Sequence, residues 1–365
     1  GRCAYHHGCD HHRLSMTPLN IAVAGAGVIG RAHIALISQN ARCQLCAVAD
    51  PSQGAQALAQ EHGVAWFATL DELLASVQVD GVVLATPNAL HVPQALQCIA
   101  AGVPVLVEKP IAHTVADAQV LVQATQAHQA KVLIGHHRAH SPIMREAKSV
   151  VDSGRLGQLV SIMGSAMFYK PDSYFSEAPW RSEVGGGPVL INLIHEIHNL
   201  RMLCGEIAEV QAMTSNATRG FAVEDTASIT FRFVSGVLAS FMLSDTAASA
   251  RSWEQTTQEN KAYASYGDED CYVIAGTTGS LAVPTMRLKT YARSDDRSWF
   301  KPFVCSALEL QREDPLKLQM DHFLDVVQGK KAPLVSAHDG LQNLRVVEAI
   351  AQAAASQHTV RLGVY

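Results

Sequence analysis

The chain has 365 residues, of which 48% are hydrophobic and 17% charged, with a formal net charge of −5. That composition supplies a sizeable core and excludes a disordered chain. The acidic balance offers no basic field for nucleic acid, and no apolar run reaches the roughly 20 residues that span a bilayer.

In chain order, residues 1–15 come first, holding Cys3, His6, His7, Cys9, His11 and His12 with almost nothing apolar. These are zinc- or nickel-type ligands, but the stretch reads as a leader or added remnant ahead of Met16. It lacks the apolar region of a secretory signal. Residues 19–30, Leu-Asn-Ile-Ala-Val-Ala-Gly-Ala-Gly-Val-Ile-Gly, then run from a short buried strand into G-x-G-x-x-G at Gly25, Gly27 and Gly30. In a dinucleotide site the first glycine makes the tight turn, the second lets the backbone approach a pyrophosphate, and the third lets helix and strand pack closely. The helix beginning there points free N–H groups at the phosphates. A second strand, Gln44 to Ala49, ends in Asp50, placed to accept from a ribose diol.

Strand and helix keep alternating to about His137. Strands are predicted near Trp66–Phe67, over Gly81 to Ala85, over Val103 to Val107 and over Lys131 to Gly135. Helices are predicted over Leu70–Ser76, His91 to Ala101 and Val115–His128. Short apolar strands each followed by a helix predict a parallel, doubly wound Rossmann sheet. Ligands bind at the carboxyl ends of such strands, so Gly25–Gly30, Asp50, Thr86–Asn88, Glu108–Pro110 and His136–Arg138 should line one crevice.

From Ser141 the pattern changes. A helix to Ser153, a strand from Val160 to Tyr169, and the break Gly185-Gly186-Gly187-Pro188 lead to a helix over Val189 to Cys204. Alternating stretches follow at Val210–Ala217, Thr226–Val234, Val237–Ser244, Tyr272–Ala275, Ser280–Val283 and Leu288–Ala292. Helices return near Pro315–Gln328 and His338–Ser356. Consecutive strands without helices predict an α+β domain with a large, mainly antiparallel open sheet. The expected division is residues 16–138 for the nucleotide and 139–365 for substrate binding and oligomerisation. The open face predicts self-association into a homodimer or homotetramer. Eight cysteines show no repeated spacing, and Cys43 and Cys46 lie three apart on a strand, facing opposite sides. A reducing, cytoplasmic setting fits best.

Two groups stand out chemically. Lys109, beside Glu108, is placed to hydrogen-bond a substrate hydroxyl and take its proton if its pKa is brought down; the bland reading is a surface lysine paired with Glu108. Asn192, His195, Glu196 and Asn199 share one face of the second-domain helix at the 3.6-residue period, and histidine is the natural proton shuttle near neutrality. His195 and His198 at i,i+3 make a weak metal pair, and no metal is expected.

These residues carry a resemblance. Gly25-Ala-Gly-Val28-Ile29-Gly30, Asp50, Ala85-Thr86-Pro87-Asn88 with His91, Glu108-Lys109-Pro110, and Gly185-Gly-Gly187 followed by His195 occur in this order. The chain resembles the glucose–fructose oxidoreductase and inositol dehydrogenase (Gfo/Idh/MocA) family from Leu19 onward. The resemblance implies an NAD(P)-dependent dehydrogenase or reductase acting on the CH–OH groups of sugars, cyclitols or related polyhydroxylated compounds. It implies Lys109 and His195 as catalytic residues, with Asn192 beside them. The cofactor residues it implies are Gly25, Gly27, Val28, Ile29, Gly30, Asp50, Thr86, Pro87, Asn88, His91, Glu108 and Lys109. Asp50 favours NAD over NADP by its charge. Arg138, Tyr169, Trp180, Arg181 and His198 are the expected substrate contacts. Ile191 and His198 stand where many members carry aspartates. The alternatives are a non-redox enzyme with tightly held NAD and a non-catalytic NAD-bound sensor.

Overall fold

The computed structural model describes residues 16–363. The expectation about the leader at 1–15 lies outside the described residues.

The first half alternates strand and helix: β1 (Leu19–Ala24), α1 (Val28–Gln39), β2 (Cys43–Ala49), α2 (Gln53–Glu61), β3 (Ala65–Phe67), α3 (Leu70–Ser76), β4 (Gly81–Leu84), α4 (His91–Ala100), β5 (Val105–Glu108), α5 (Val115–His128) and β6 (Val132–Gly135). β4, β5 and β6 are buried along their whole length, as strands covered by helices on both faces must be. The six pair in parallel in the order β3-β2-β1-β4-β5-β6. The order reverses between β1 and β4, where a doubly wound sheet opens its crevice. Register aligns the strand ends: Ala24 pairs with Ala49 and Leu84, Leu84 with Val107, and Glu108 with Gly135. The residues that follow, Gly25, Asp50, Ala85, Lys109 and His136, therefore leave the sheet along one edge.

The second half contains α6 (Pro142–Asp152), β7 (Leu159–Met167), α7 (Asp172–Glu177), a π turn (Val189–Leu193), α8 (Ile194–Cys204), β8 (Ile207–Ser215), β9 (Thr226–Phe233), β10 (Leu238–Ser244), α9 (Trp253–Thr256), β11 (Tyr272–Gly276), β12 (Gly279–Val283), β13 (Arg287–Thr290), β14 (Val304–Ala307), α10 (Pro315–Val327), α11 (Ala337–Ser356) and β15 (Val360–Arg361). Among the described residues its sheet runs β14-β13-β12-β11-β7-β10-β9-β8-β15. Neighbours are antiparallel except the central pair β7 and β10, where a crossover containing α8 returns the chain in its starting direction. Alternation puts Phe231, Phe233, Phe241 and Tyr272 into the core. It leaves Met163, Leu238, Met242 and Val273 on the opposite, open face.

The C-terminal helices turn back across both sheets. Met320, Phe323, Leu324, Leu341 and Leu344 belong to the core of the parallel sheet, whereas Val346, Val347 and Ile350 belong to the core of the mixed one. The side chain of Phe323 lies against Gly81 of β4. Phe323→Ala removes a fully buried ring from a layer that joins the chain's two ends. It should lower the unfolding free energy by about 3–5 kcal/mol, read as a lower denaturant midpoint at an unchanged slope.

Candidate active site

The glycine turn has distinct local geometry at each position. Gly25 has φ +98°, and a Cβ there would meet the Ala85 carbonyl oxygen at 2.3 Å. A Cβ on Gly30 would lie 2.0 Å from the Gly25 carbonyl, so α1 packs against the turn only because that atom is missing. At Gly27 the space a Cβ would take is open, with no atom within 4 Å, and Val28 beside it is 90% exposed. The helices α2, α3 and α5 start with Ser52, Thr69 and Thr114 capping their first turns. α1 starts at Gly27 with no side-chain cap, leaving first-turn N–H groups open to an anion. An open cradle with uncapped donors fits a dinucleotide diphosphate.

Asp50 closes this end. Its carboxylate accepts from the backbone N–H of Ala26 at 2.9 Å and of Ser52 at 2.8 Å. Burial opposes its charge, but the bonds from Ser52 and Ala26 outweigh that and hold the carboxyl below its usual range. Each oxygen keeps a further lone pair for a ribose hydroxyl. Thr86, Pro87 and Asn88 follow β4, with the Thr86 hydroxyl donating to Gln94 at 2.6 Å.

His91 and Glu108, expected at the crevice wall, stand behind it. His91 is 1% exposed, and its ring nitrogens lie 2.7 Å from the Pro110 carbonyl and 2.8 Å from the Thr86 carbonyl. It ties the turns after β4 and β5 together. Buried Glu108 sits 2.6 Å from Nε2 of buried His33, which holds its carboxyl down despite burial. Lys109 is thereby left without the Glu108 side chain as its partner.

A cleft of about 780 Å³ opens beside this edge. Lys109 lines it and donates from Nζ to the Ile191 carbonyl at 3.0 Å. Burial lowers its pKa to about 8, with Glu108 pulling back and Arg138 pushing further down. The helix carrying His195 enters as the π turn, a bulge that breaks the 3.6-residue period. The polar stripe is shared between two surroundings. Asn192 and His195 line the cleft, while Glu196 and Asn199 are buried. His195 is held well below the usual histidine value by burial, with Lys109 and Arg138 adding to it, so it is neutral. Its ring meets His137 edge-on at 5.2 Å.

Arg138 is buried and forks between Glu196 and Glu254, each at 2.7 Å. Tyr272 also donates to Glu196 and accepts from Asn199 at 3.0 Å. Burial raises Glu196 to about 7, and Arg138 only partly offsets it. Tyr169 lines the cleft. Trp180 and Arg181 lie outside the lining, Arg181 stacking on the Tyr174 ring at 3.9 Å. His198 is not at the cleft. It stacks on His136 at 5.1 Å and accepts from Asn343 at 3.0 Å, a packing role that its helical position shares with any core residue. Lys170, Tyr174, Glu254 and Glu259 also line the cleft, and no sequence pattern points to them. They come from irregular segments and two short helices, α7 and α9, where no period marks an inward face. Among the described residues no group of three or more His, Cys, Asp or Glu side chains is arranged to hold a metal.

Arg138→Met would leave one buried carboxyl, Glu196, and one partly buried, Glu254, without their shared cation. Such a change should cost about 3–5 kcal/mol, measured by chemical denaturation. Arg138→Lys should recover only part, because one ammonium does not fork.

Comparisons with known proteins agree with this geometry. Residues 19–136 match the oxidoreductase family with an NAD-binding Rossmann fold, and residues 144–282 match the GFO/IDH/MocA C-terminal domain. The chain is 29% identical over 314 residues to 1,5-anhydro-D-fructose reductase of Ensifer adhaerens, covering 82% of this chain and 85% of that protein. It is 22% identical over 352 residues to inositol 2-dehydrogenase of Rhizobium meliloti (strain 1021), covering 94% and 99%. In fold it is similar to the WlbA dehydrogenase from Bordetella pertussis, solved in complex with NADH and UDP-GlcNAcA. That likeness has a TM-score of 0.76 at 24% identity, over 96% of this chain and 100% of that one. With both halves matched in order, the chain belongs to the GFO/IDH/MocA family of NAD-binding oxidoreductases.

Proposed function

We propose that the chain is an NAD-dependent dehydrogenase or reductase acting on a secondary alcohol or ketone of a polyhydroxylated small molecule. The observation that carries this reading is a lysine amine held near pKa 8 beside a neutral histidine, both lining one cleft at the carboxyl edge of the nucleotide-binding sheet. The relatives named for anhydrofructose and inositol support a sugar or cyclitol.

Residues 25–30, Asp50 and Thr86–Asn88 hold the dinucleotide in this reading. Bound NAD supplies the hydride acceptor for oxidation or, reduced, the donor for reduction. Asp50, kept ionised by two backbone N–H groups, repels a 2′-phosphate and favours NAD over NADP. The neutral Lys109 amine gives one N–H to the Ile191 carbonyl and offers its lone pair to the substrate hydroxyl proton. In reduction the ammonium returns that proton. His195, already neutral, donates or accepts a hydrogen bond at the reacting oxygen and fixes its position. Asn192 takes no proton at any working pH.

The same reading includes a homodimer or homotetramer formed through the open sheet and a cytoplasmic setting. Met163, Leu238, Met242 and Val273 on the open face are interleaved with Ser161, Ser240 and Ala275, so its centre carries no charge. Free thiols at Cys43, Cys46, Cys98, Cys204, Cys271 and Cys305 fit a reducing compartment. Met163→Lys puts a charge in the middle of that face. Light scattering should show the assembly falling to smaller species, and an unchanged mass would remove the sheet face as the interface.

NADH formation across a panel of polyols, inositols and sugar acids, with NADP run alongside, tests the chemistry. In the oxidation direction kcat/KM should climb about tenfold per pH unit below about 8 and level off above it, because only the unprotonated amine accepts the proton. Reduction should show the opposite limb. Lys109→Met should lose roughly 10²–10⁴-fold in turnover. A flat profile or near-normal turnover in that variant would falsify the proton role, and binding of NAD without any redox product would remove the dehydrogenase reading.

A further inference from the structure

The cleft holds a second buried amine that the proton chemistry leaves unused. Lys170 follows β7 and is only 9% exposed, yet it lines the cleft. Among the described residues its Nζ makes one hydrogen bond, 2.6 Å to the Asn192 side-chain oxygen. An ammonium carries three donors, so two remain unused. Two aromatic rings stand around it, Phe168 at 5.6 Å and Tyr174 at 4.6 Å. The nearby acids are committed elsewhere: Asp245 to Arg219 at 3.0 Å and Glu254 to Arg138 at 2.7 Å.

A buried cation with no direct ion pair is costly unless something pairs with it. Burial lowers the Lys170 pKa to about 8; Asp245 and Glu254, acting without a direct ion pair, pull it back only in part, and Arg181 and Lys109 push it further down. Moreover, the Arg181 guanidinium stacks on the same Tyr174 ring at 3.9 Å. Lys170 at the cleft wall, with Arg181 behind it on the same ring and Lys109 in the same cleft, makes a place for negative charge from outside the chain.

We propose that Lys170, backed by Arg181 across the Tyr174 ring, docks a carboxylate, and that the substrate is a polyhydroxylated acid of the sugar-acid type rather than a neutral polyol. The acid group sits on Lys170 while a hydroxyl of the same molecule reaches Lys109 and His195. Two free donors on one amine suit a monoanion. Arg181 already donates to the Tyr174 carbonyl at 2.7 Å, and Glu254 and Glu259 also line the cleft, which works against a phosphate dianion. The assignment of the hydroxyl rests on the redox reading above; carboxylate docking does not.

The test is equilibrium binding by calorimetry to the NAD-loaded protein, followed by NADH formation on the same compounds. The ligands are matched sets: an aldonate or uronate, its neutral amide or parent sugar, and the corresponding sugar phosphate. The acid should bind more tightly than both of its relatives. Lys170→Gln should shrink the acid-to-neutral affinity ratio roughly 30- to 100-fold, the worth of a hydrogen bond to a charged group. Its NAD affinity should be unchanged, which reports an intact fold, and Lys170→Arg should restore part of the ratio. Equal binding of acid and neutral members, tighter binding of the phosphate, an equal loss for both members in Lys170→Gln, or no Lys170-dependent acid binding at all overturns the proposal. Lys170-dependent acid binding without NADH leaves the docking point standing and removes the redox reading. NADH formed from neutral polyols in preference to acids does the reverse.

Discussion

Two carboxyl groups in a poorly solvated junction stay ionised together only if a cation stands between them, and Arg138 is that cation where the two sheets meet. It lies three residues beyond β6 and reaches Glu196 on α8 and Glu254 on α9, with its guanidinium 5.4 Å from the Trp253 ring. Forked pairing in a low-dielectric interior gives direction as well as attraction. The groups at the cleft surface are its sequence neighbours: His137 precedes it, His195 precedes Glu196, and Gln255 follows Glu254. Thus the triad holds the helix histidine beside the strand end, and the bond from Lys109 to the Ile191 carbonyl ties the lysine to the same helix.

That concentration of positive charge also decides which groups titrate. His136, His137, His140, His195 and His198 are all held below the ordinary histidine range, with burial the largest cause in each. As a cation, His136, His137, His195 or His198 would face Lys109, Arg138 or Arg201, and His140 would face Arg145. The row of histidines is therefore neutral polar packing across the pH range in which an enzyme of this kind works. The two lysines, brought down to about 8, and Glu196 and Glu259, raised by burial to about 7, are groups whose charge changes there.

Much of this is legible in the sequence, and the limits are physical. Gly25, Gly27 and Gly30 declare themselves as a spaced motif: backbone geometry admits nothing larger at Gly25 and Gly30, and the space beside Gly27 is open. Helix α5 is legible to both ends, Val115 and His128, because Thr114 caps it and no breaker interrupts it. The π turn at Val189–Leu193 is not legible, since hydrophobic spacing assumes a constant period. A constant period puts Asn192, His195, Glu196 and Asn199 on one face, but Asn192 belongs to the π turn, and the spacing does not tell that Asn192 and His195 reach the cleft while Glu196 and Asn199 are buried. The parallel pairing of β7 with β10 depends on a return path from Met167 to Leu238, which no local pattern encodes. β14 is exposed at all four positions and β15 has only two residues, so neither shows an alternating burial signal. Lys170 carries no signal either: a single lysine after a strand looks like solvent-facing charge until the rings of Phe168 and Tyr174 are brought around it.

The return of α10 and α11 into the first core has a consequence for synthesis. Met320, Phe323 and Leu344 cover apolar surface on a sheet whose strands end at Gly135. During translation those strands emerge long before the helices that cover them, and N-terminal segments otherwise tend to fold first. The nucleotide-binding half must wait, partly uncovered, until the chain has been extended from Gly135 to Leu344. That delay makes completion of the first domain depend on completion of the second.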